Sequence, residues 1–207
     1  MQNTDTAATN GTQTGRTIRI IASAGVLSAA AFVLEMLEIS VPIVPSFLKF
    51  DFSDLPALIG SFALGPICGV VIELVKNILH TFNSGSFGVG ELSNFLLGSI
   101  FVGTAGIIYR IKRSKKGALI GSFAGALAMA LLCVPINYFI VYPVYYNFMP
   151  KETILGMYQA ILPSIKSIFQ SLLVFNLPFT FVKGLADAAI TFLIYKKISP
   201  ILKGTNY

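Results

Sequence analysis

LPALIGSFALGPICGVVIELVKNILHTF, residues 55–82, decides the architecture of this chain. The stretch is apolar along most of its length, yet its length is awkward. A helix needs roughly 20 residues at about 1.5 Å rise to cross about 30 Å of hydrocarbon, so this is too long for one ordinary span and short for two. Near its middle stand Gly65 and Pro66. Proline cannot continue the preceding hydrogen-bond ladder, and glycine permits the chain to reverse. The fold turns on whether this stretch crosses once or doubles back.

Charge elsewhere answers that question. In a chain that is 55% hydrophobic and 12% charged, most of the fifteen Lys and Arg residues fall in three clusters at the edges of apolar stretches. These are Arg16 with Arg19, the run Arg110 to Lys116 (RIKRSKK), and Lys196, Lys197 and Lys203. Positive side chains resist translocation, so each cluster is expected in the cytoplasm. The remaining apolar stretches are Ile20–Ile39, Leu92–Tyr109, Gly117–Pro150 and Ile165–Tyr195. A single crossing by residues 55–82 would put RIKRSKK on the opposite side from Arg16 and Arg19; a hairpin puts all three clusters on one side. The sequence therefore predicts an all-α integral membrane protein, multi-pass in the cell membrane. It has six transmembrane helices and both termini in the cytoplasm. The hairpin helices must be short, about 12 and 16 residues, so neighbouring helices have to shield their ends.

Several functions fall away on composition. The topology already accounts for the net charge of +6, so no nucleic-acid partner is needed to explain it. At 207 residues one compact membrane domain fits, over residues 18–207. Residues 1–17 (MQNTDTAATNGTQTGRT) are polar and small and read as a disordered cytoplasmic tail. They contain no apolar h-region and so do not read as a secretory signal. The single histidine, His80, argues against a histidine-based metal centre, and no metal is expected. Cys68 and Cys133 lie inside apolar runs, where cysteine behaves as a small hydrophobe. No P-loop motif is present, so the chain is not expected to bind ATP in that way.

Three segments then face outward: residues 40–54 (SVPIVPSFLKFDFSD), residues 83–91 (NSGSFGVGE) and residues 143–164, with a short surface helix expected from Lys151 to Ala160. Much of the polar and aromatic chemistry lies on this side, which suggests a ligand captured from outside. Ionisable residues at membrane depth are costly and ask for partners or a function. Glu73 and Lys76 are three apart, and Lys183 and Asp187 four apart, spacings that put each pair on one helix face. The first pair reads as a structural ion pair. Lys183, between Pro178 and Gly184 where the helix can open, reads as functional. Asn94, Asn137 and Asn176 lie on the fourth, fifth and sixth predicted helices and must find both donors and acceptors. Interhelical hydrogen bonds would serve, as would a ligand with ring carbonyls and imide nitrogens. Seventeen Phe and eight Tyr suit stacking on a flat ring, although core and interface positions account for most of them. Ala24, Gly25, Ser28 and Ala29 give the first helix a small-residue face, suited to packing within the bundle or to docking another membrane subunit.

The block FLKFDFSDLPALIGSFALGPICGVVIELVKN (residues 47–77) resembles the riboflavin-specific S components of the energy-coupling factor (ECF) vitamin transporters. The likeness continues through GVGELSNFLLGS, the basic loop before KKGALIGS, the NYF beginning at Asn137, and PFTFVKG ending at Gly184. It implies a six-helix substrate-binding subunit that holds riboflavin near the outer face, under the first loop and among the last three helices. Such a subunit works with a shared transmembrane coupling subunit and two ATPases. By position, Asn137 and Lys183 match family residues expected to hydrogen-bond the flavin. Where an asparagine is expected three positions before the lysine, this chain has Thr180, so that contact is weakened or supplied differently, as by Asn176. Leu48, Lys49, Phe50 and Asp51 occupy the segment expected to cover the ligand, and Glu91 and Asn94 join the substrate-binding set. The first-helix face resembles the family's A-x-x-x-A docking motif with serine for one alanine. Riboflavin is then cargo, no cofactor is expected, and no residue is assigned catalysis. An S component for another vitamin, or a stand-alone carrier coupled to an ion gradient, are the alternatives.

Overall fold

A computed structural model describes residues 4–203, with side-chain detail over residues 14–195. Helix α1 is Thr4–Met36, and beyond it two short strands, β1 (Ile39–Ser40) and β2 (Lys49–Phe50), pair antiparallel. There follow α2 (Asp54–Leu64), α3 (Pro66–Thr81), α4 (Val89–Ile111) and α5 (Lys115–Ile136). A π-helical turn over Asn137–Val141 carries α5 into α6 (Tyr142–Tyr145). Helix α7 (Lys151–Gln159) lies where the surface helix was expected. Finally α8 (Ile168–Ser171) passes through a second π turn, Leu172–Asn176, into α9 (Leu177–Lys203).

The Gly65–Pro66 break acts as the sequence predicts. Gly65 adopts φ 118°, a backbone region that favours glycine, and its N–H closes α2 onto the carbonyls of Gly60 and Ser61. Pro66 then opens α3, where its missing N–H costs nothing. The two helices fold back closely: a Cβ on Gly69 would stand 2.7 Å from that of Ser61. The hairpin reaches across to α4, where Ser61 Oγ donates to the Val102 carbonyl at 2.6 Å and Pro66 packs against Gly106. Between α4 and α5 the backbones approach through Gly121 and Gly125, which face the Ala105 and Phe101 carbonyls.

Among the described residues, four helical segments are long and apolar enough to cross a membrane: Thr14–Met36, Val89–Ile111, Lys115–Tyr145 and Ile168–Tyr195. The hairpin helices are shorter, at 11 and 16 residues. Outward faces carry large apolar side chains such as Ile67, Val26, Leu131 and Leu193, as a lipid-facing surface requires. Inside, Leu58, Ile59, Ile72, Phe101 and Met129 form the centre of the bundle. A second cluster of Val89, Tyr142, Ile154, Tyr158, Leu172 and Phe175 fills the end crowned by the loops.

Two features of α1 bear on the expectations from sequence. The segment read as a disordered tail, residues 1–17, is continuous with α1 from Thr4; Met1 to Asn3 lie outside the described residues. No proline separates this segment from the apolar helix, and extending an existing helix is far less costly than starting one. The small-residue face of α1 also divides. Ser28 is buried, its hydroxyl donating to the Ala24 carbonyl at 2.8 Å, and Ala24 packs on the core. Gly25 and Ala29, one row round the helix, are exposed. Adjacent rows on a helix diverge by about 100°, so one face cannot hold all four residues. The side chains of Lys196, Lys197 and Lys203 lie outside the described residues.

Candidate functional site

The three loop segments meet at one end of the bundle over a cavity of about 430 Å³. That volume falls in the range of small-molecule sites. Phe47 and Leu48 from the first loop, Gly85 and Ser86 from the second, and Met149 from the third form its rim. Its walls come from α4 (Ser93, Asn94, Leu97), α5 (Met129), the two π turns (Asn137, Val141, Asn176) and α9 (Phe179, Thr180, Lys183). The π turns follow from the sequence. Pro135 sits just before the first and Pro178 just after the second, and each removes a backbone donor from the helix ladder. A widened turn takes up the slack, as is frequent at functional sites. Asn137 and Asn176 sit on these turns.

Beneath the cavity a buried polar network joins α1, the first loop and α2, α3, α4 and α9. Lys183 Nζ lies 3.0 Å from Asp51 Oδ2 and 3.4 Å from Asp54 Oδ2, and donates to Asn94 Oδ1 at 3.2 Å. Asn94 Nδ2 in turn donates to Glu35 Oε1 at 2.7 Å. Asp54 is shared with Lys76, whose Nζ is 2.5 Å from Asp54 Oδ1, 2.6 Å from Ser53 Oγ and 2.9 Å from Glu73 Oε2. The Glu73 contact is an ion pair by distance, but neither carboxylate oxygen is aligned for a hydrogen bond. A network of this kind fixes the relative positions of the helices that supply it, because a buried charge deprived of its partner is strongly disfavoured.

Lys183 and Asp187 share one helix face but do not pair. Both Asp187 oxygens are buried without a hydrogen-bond partner, and Lys183 turns the other way. Helical side chains lean toward the helix N-terminus, so Lys183 reaches up toward Asp51 and away from the residue one turn later. For Glu73 and Lys76 the same lean favours contact, and they pair.

Of the first-loop residues, Leu48, Lys49 and Asp51 line the cavity, with Lys49 held 2.5 Å from Glu38. Phe50 does not: its ring packs edge-on against Phe52 and Phe179. Alternation along β2 sends Lys49 and Phe50 to opposite faces, which spacing within a loop could not reveal. Glu91 lines the second-loop side, accepting from Ser84 Oγ at 2.8 Å and Ser86 Oγ at 3.0 Å and meeting His80 Nδ1 at 2.9 Å. Asn137 accepts from Ser93 Oγ at 3.0 Å and donates to Cys133 Sγ at 3.2 Å, while Thr180 Oγ1 contacts the same sulfur at 3.5 Å. Asn176 accepts from Tyr158 at 2.6 Å, and Tyr158 meets Tyr142 at 2.6 Å. Burial, and after it the neighbouring Tyr142, raise the Tyr158 phenol well above its ordinary value, so its proton stays on.

Several lining residues were not singled out from the sequence, among them Glu35, Glu38, His80, Tyr142, Tyr145 and Phe179. Glu35 and Glu38 carried a signal, being carboxylates at the end of an apolar helix. The aromatics carried none, because tyrosines and phenylalanines are spread along the whole chain.

A partly open pocket, largely apolar with a few convergent polar groups, at one end of an apolar helical bundle defines a membrane protein built to hold a small molecule. Residues 19–195 match the family described as "ECF transporter, substrate-specific component", and the chain belongs to that family. It is 34% identical over 177 residues to the riboflavin transporter RibU of Staphylococcus aureus (strain TCH60), covering 86% of this chain and 88% of that one. With the riboflavin transporter FmnP of Bacillus subtilis (strain 168) it shares 31% identity over 177 residues, 84% of this chain and 88% of the relative. A solved structure described as the S component of a bacterial ECF transporter superimposes with a TM-score of 0.70 at 33% identity, covering 92% of this chain and 99% of that one.

Proposed function

We propose that this chain is the riboflavin-binding, substrate-capturing subunit of an ECF-type uptake transporter of the cell membrane. One observation carries the reading: Asn94 from α4, Asn137 from the turn after α5, and Asn176, Thr180 and Lys183 from the last helical segment converge with aromatic side chains on one cavity under the loops. A flavin asks for that combination, a flat ring with an edge of carbonyls and an imide above a polyol chain. Riboflavin is held here as cargo, not as a cofactor.

The chain crosses the bilayer six times in this reading, counting α2 and α3 as a hairpin, with both termini cytoplasmic and the cavity facing outward. The turn at Gly65 and the basic segment between α4 and α5 lie at the end opposite the cavity, which is what that orientation requires. ATP hydrolysis is left to two ATPase subunits acting through a transmembrane coupling subunit. Gly25 and Ala29, the exposed part of the α1 small-residue stripe, are the first place to seek that contact. Purified protein titrated with riboflavin is expected to quench flavin fluorescence saturably and to carry a flavin absorption band. Saturable binding of thiamine or biotin with no response to riboflavin would sink the assignment.

A further inference from the structure

Tyr158 is fully buried on α7 and does not line the cavity, yet its hydroxyl is the hub of two short hydrogen bonds. Its phenol lies 2.6 Å from Asn176 Oδ1 and 2.6 Å from the Tyr142 hydroxyl. Proton bookkeeping fixes the direction of both bonds. A carboxamide oxygen can only accept, so Tyr158 spends its single proton on Asn176. The Tyr142 contact must then be bridged by the Tyr142 proton. Tyr142 is left with only oxygen lone pairs to offer the cavity it lines, and Asn176, its oxygen held, offers its NH₂. The amide also meets the Tyr142 hydroxyl, and with two N–H groups it keeps one for the cavity. The acceptor and the donor sit close together, because both groups bond to one phenol oxygen.

An acceptor beside a donor on one wall is the complement of a ring imide, where an N–H stands next to a C=O. We infer that Tyr158 is a positioning residue that polarises this wall, so that Tyr142 Oη accepts the imide N–H and Asn176 Nδ2 donates to the adjacent carbonyl. This deepens the riboflavin reading and rests on it. The arrangement uses a residue outside the cavity to dictate which way two groups inside it point. Asn137 bonds Ser93 and Cys133 and keeps one N–H and one lone pair, so its orientation is set by those partners and not by Tyr158.

The test compares riboflavin with 3-methylriboflavin, in which a methyl group replaces the imide proton, by titrating the purified full chain. Wild-type protein is expected to prefer riboflavin by about tenfold or more, the loss of a hydrogen bond and the orphaning of a buried acceptor acting together. Tyr142→Phe should weaken riboflavin severalfold and leave 3-methylriboflavin nearly unchanged, closing the gap. Tyr158→Phe, which keeps the ring and its packing, should close the gap as well, because Tyr142 regains its proton and the Asn176 amide is free to turn. A merely structural Tyr158 would weaken both ligands equally and leave their ratio intact, which would overturn the inference. Equal binding of the two ligands by wild-type protein would overturn it too, while leaving the riboflavin reading standing. Absence of any flavin binding would instead bring down that reading. Should Tyr158→Phe fail to fold, Tyr142→Phe decides the question alone by its effect on the ratio.

Discussion

Lys76 and Lys183 are both buried lysines in the middle of apolar helices, and they even share Asp54, yet their surroundings differ. Around Lys76 the protein closes completely: Asp54, Ser53 and Glu73 all lie within 3 Å of its ammonium, and the residue is 0% exposed. Around Lys183 the contacts are longer, from 3.0 to 3.4 Å, and one side opens on the cavity. The first lysine has its partners in the fold. The second also has three partners for its three N–H groups, but at longer range and beside the cavity, where a ligand acceptor can take the place of one of them. Charge at membrane depth marks an interesting position, but only the packing around it separates a structural clamp from a binding group.

That contrast can be broken in several ways. Lys76→Met should have the largest effect, because it leaves Glu73 and part of Asp54 buried without a cation. A loss of about 3–5 kcal/mol is expected, read as a large fall in the thermal midpoint of the detergent-solubilised protein or as failure to accumulate. Lys183→Ala should instead act on binding, weakening riboflavin by roughly 1.5–3 kcal/mol, or ten- to a hundredfold, while the protein still folds. If the two variants behave alike in both assays, the distinction between clamp and ligand group is wrong.

The same distinction between sealed and open faces applies to α1. Ser28→Trp forces a large ring into a packed interface and should cost about 1–3 kcal/mol of stability. Gly25→Trp enters open space, with nothing within 4 Å of its Cβ position. It should leave riboflavin binding by purified protein unchanged and abolish uptake by cells carrying the coupling subunit; normal uptake would exclude this face as the docking surface. The smallest effect is expected from Asp187→Leu. Removing a buried carboxylate that has no hydrogen-bond partner should leave stability within about 1 kcal/mol of wild type or raise it. A large destabilisation would restore Asp187 as a partner of Lys183.

The hairpin was legible in the sequence because Gly65 and Pro66 are local signals whose backbone consequences do not depend on what surrounds them. The convergence of Asn94, Asn137, Asn176, Thr180 and Lys183 was legible in a weaker sense: buried polar groups needed partners, and the family likeness supplied where to look. What escaped was direction. Spacing puts Lys183 and Asp187 on one face, but the lean of helical side chains decides that the lysine points to Asp51. Spacing likewise groups Ala24, Gly25, Ser28 and Ala29, but only the neighbouring α2 and α3 decide which row is inside. Phe50 was misplaced for a related reason, since the two-residue strand that turns it from the cavity carries no periodicity to read. Tyr158 was invisible because its role depends on hydrogen bonds between segments remote in the chain.

The brevity of the hairpin has a consequence for the lipid around it. At about 1.5 Å per residue, α2 and α3 are roughly 17 and 24 Å long, while the longer helices exceed the hydrocarbon thickness of about 30 Å. Ile67, Val71, Leu74 and Ile78 put one face of the short α3 outward. The protein thus presents a tall wall on one flank and a low one on the other. Acyl chains beside the low wall must shorten or splay, at a cost of fractions of a kcal/mol per Å, and the bundle can relieve part of this by leaning. Bilayer thickness therefore becomes a variable that sets the resting tilt of this subunit.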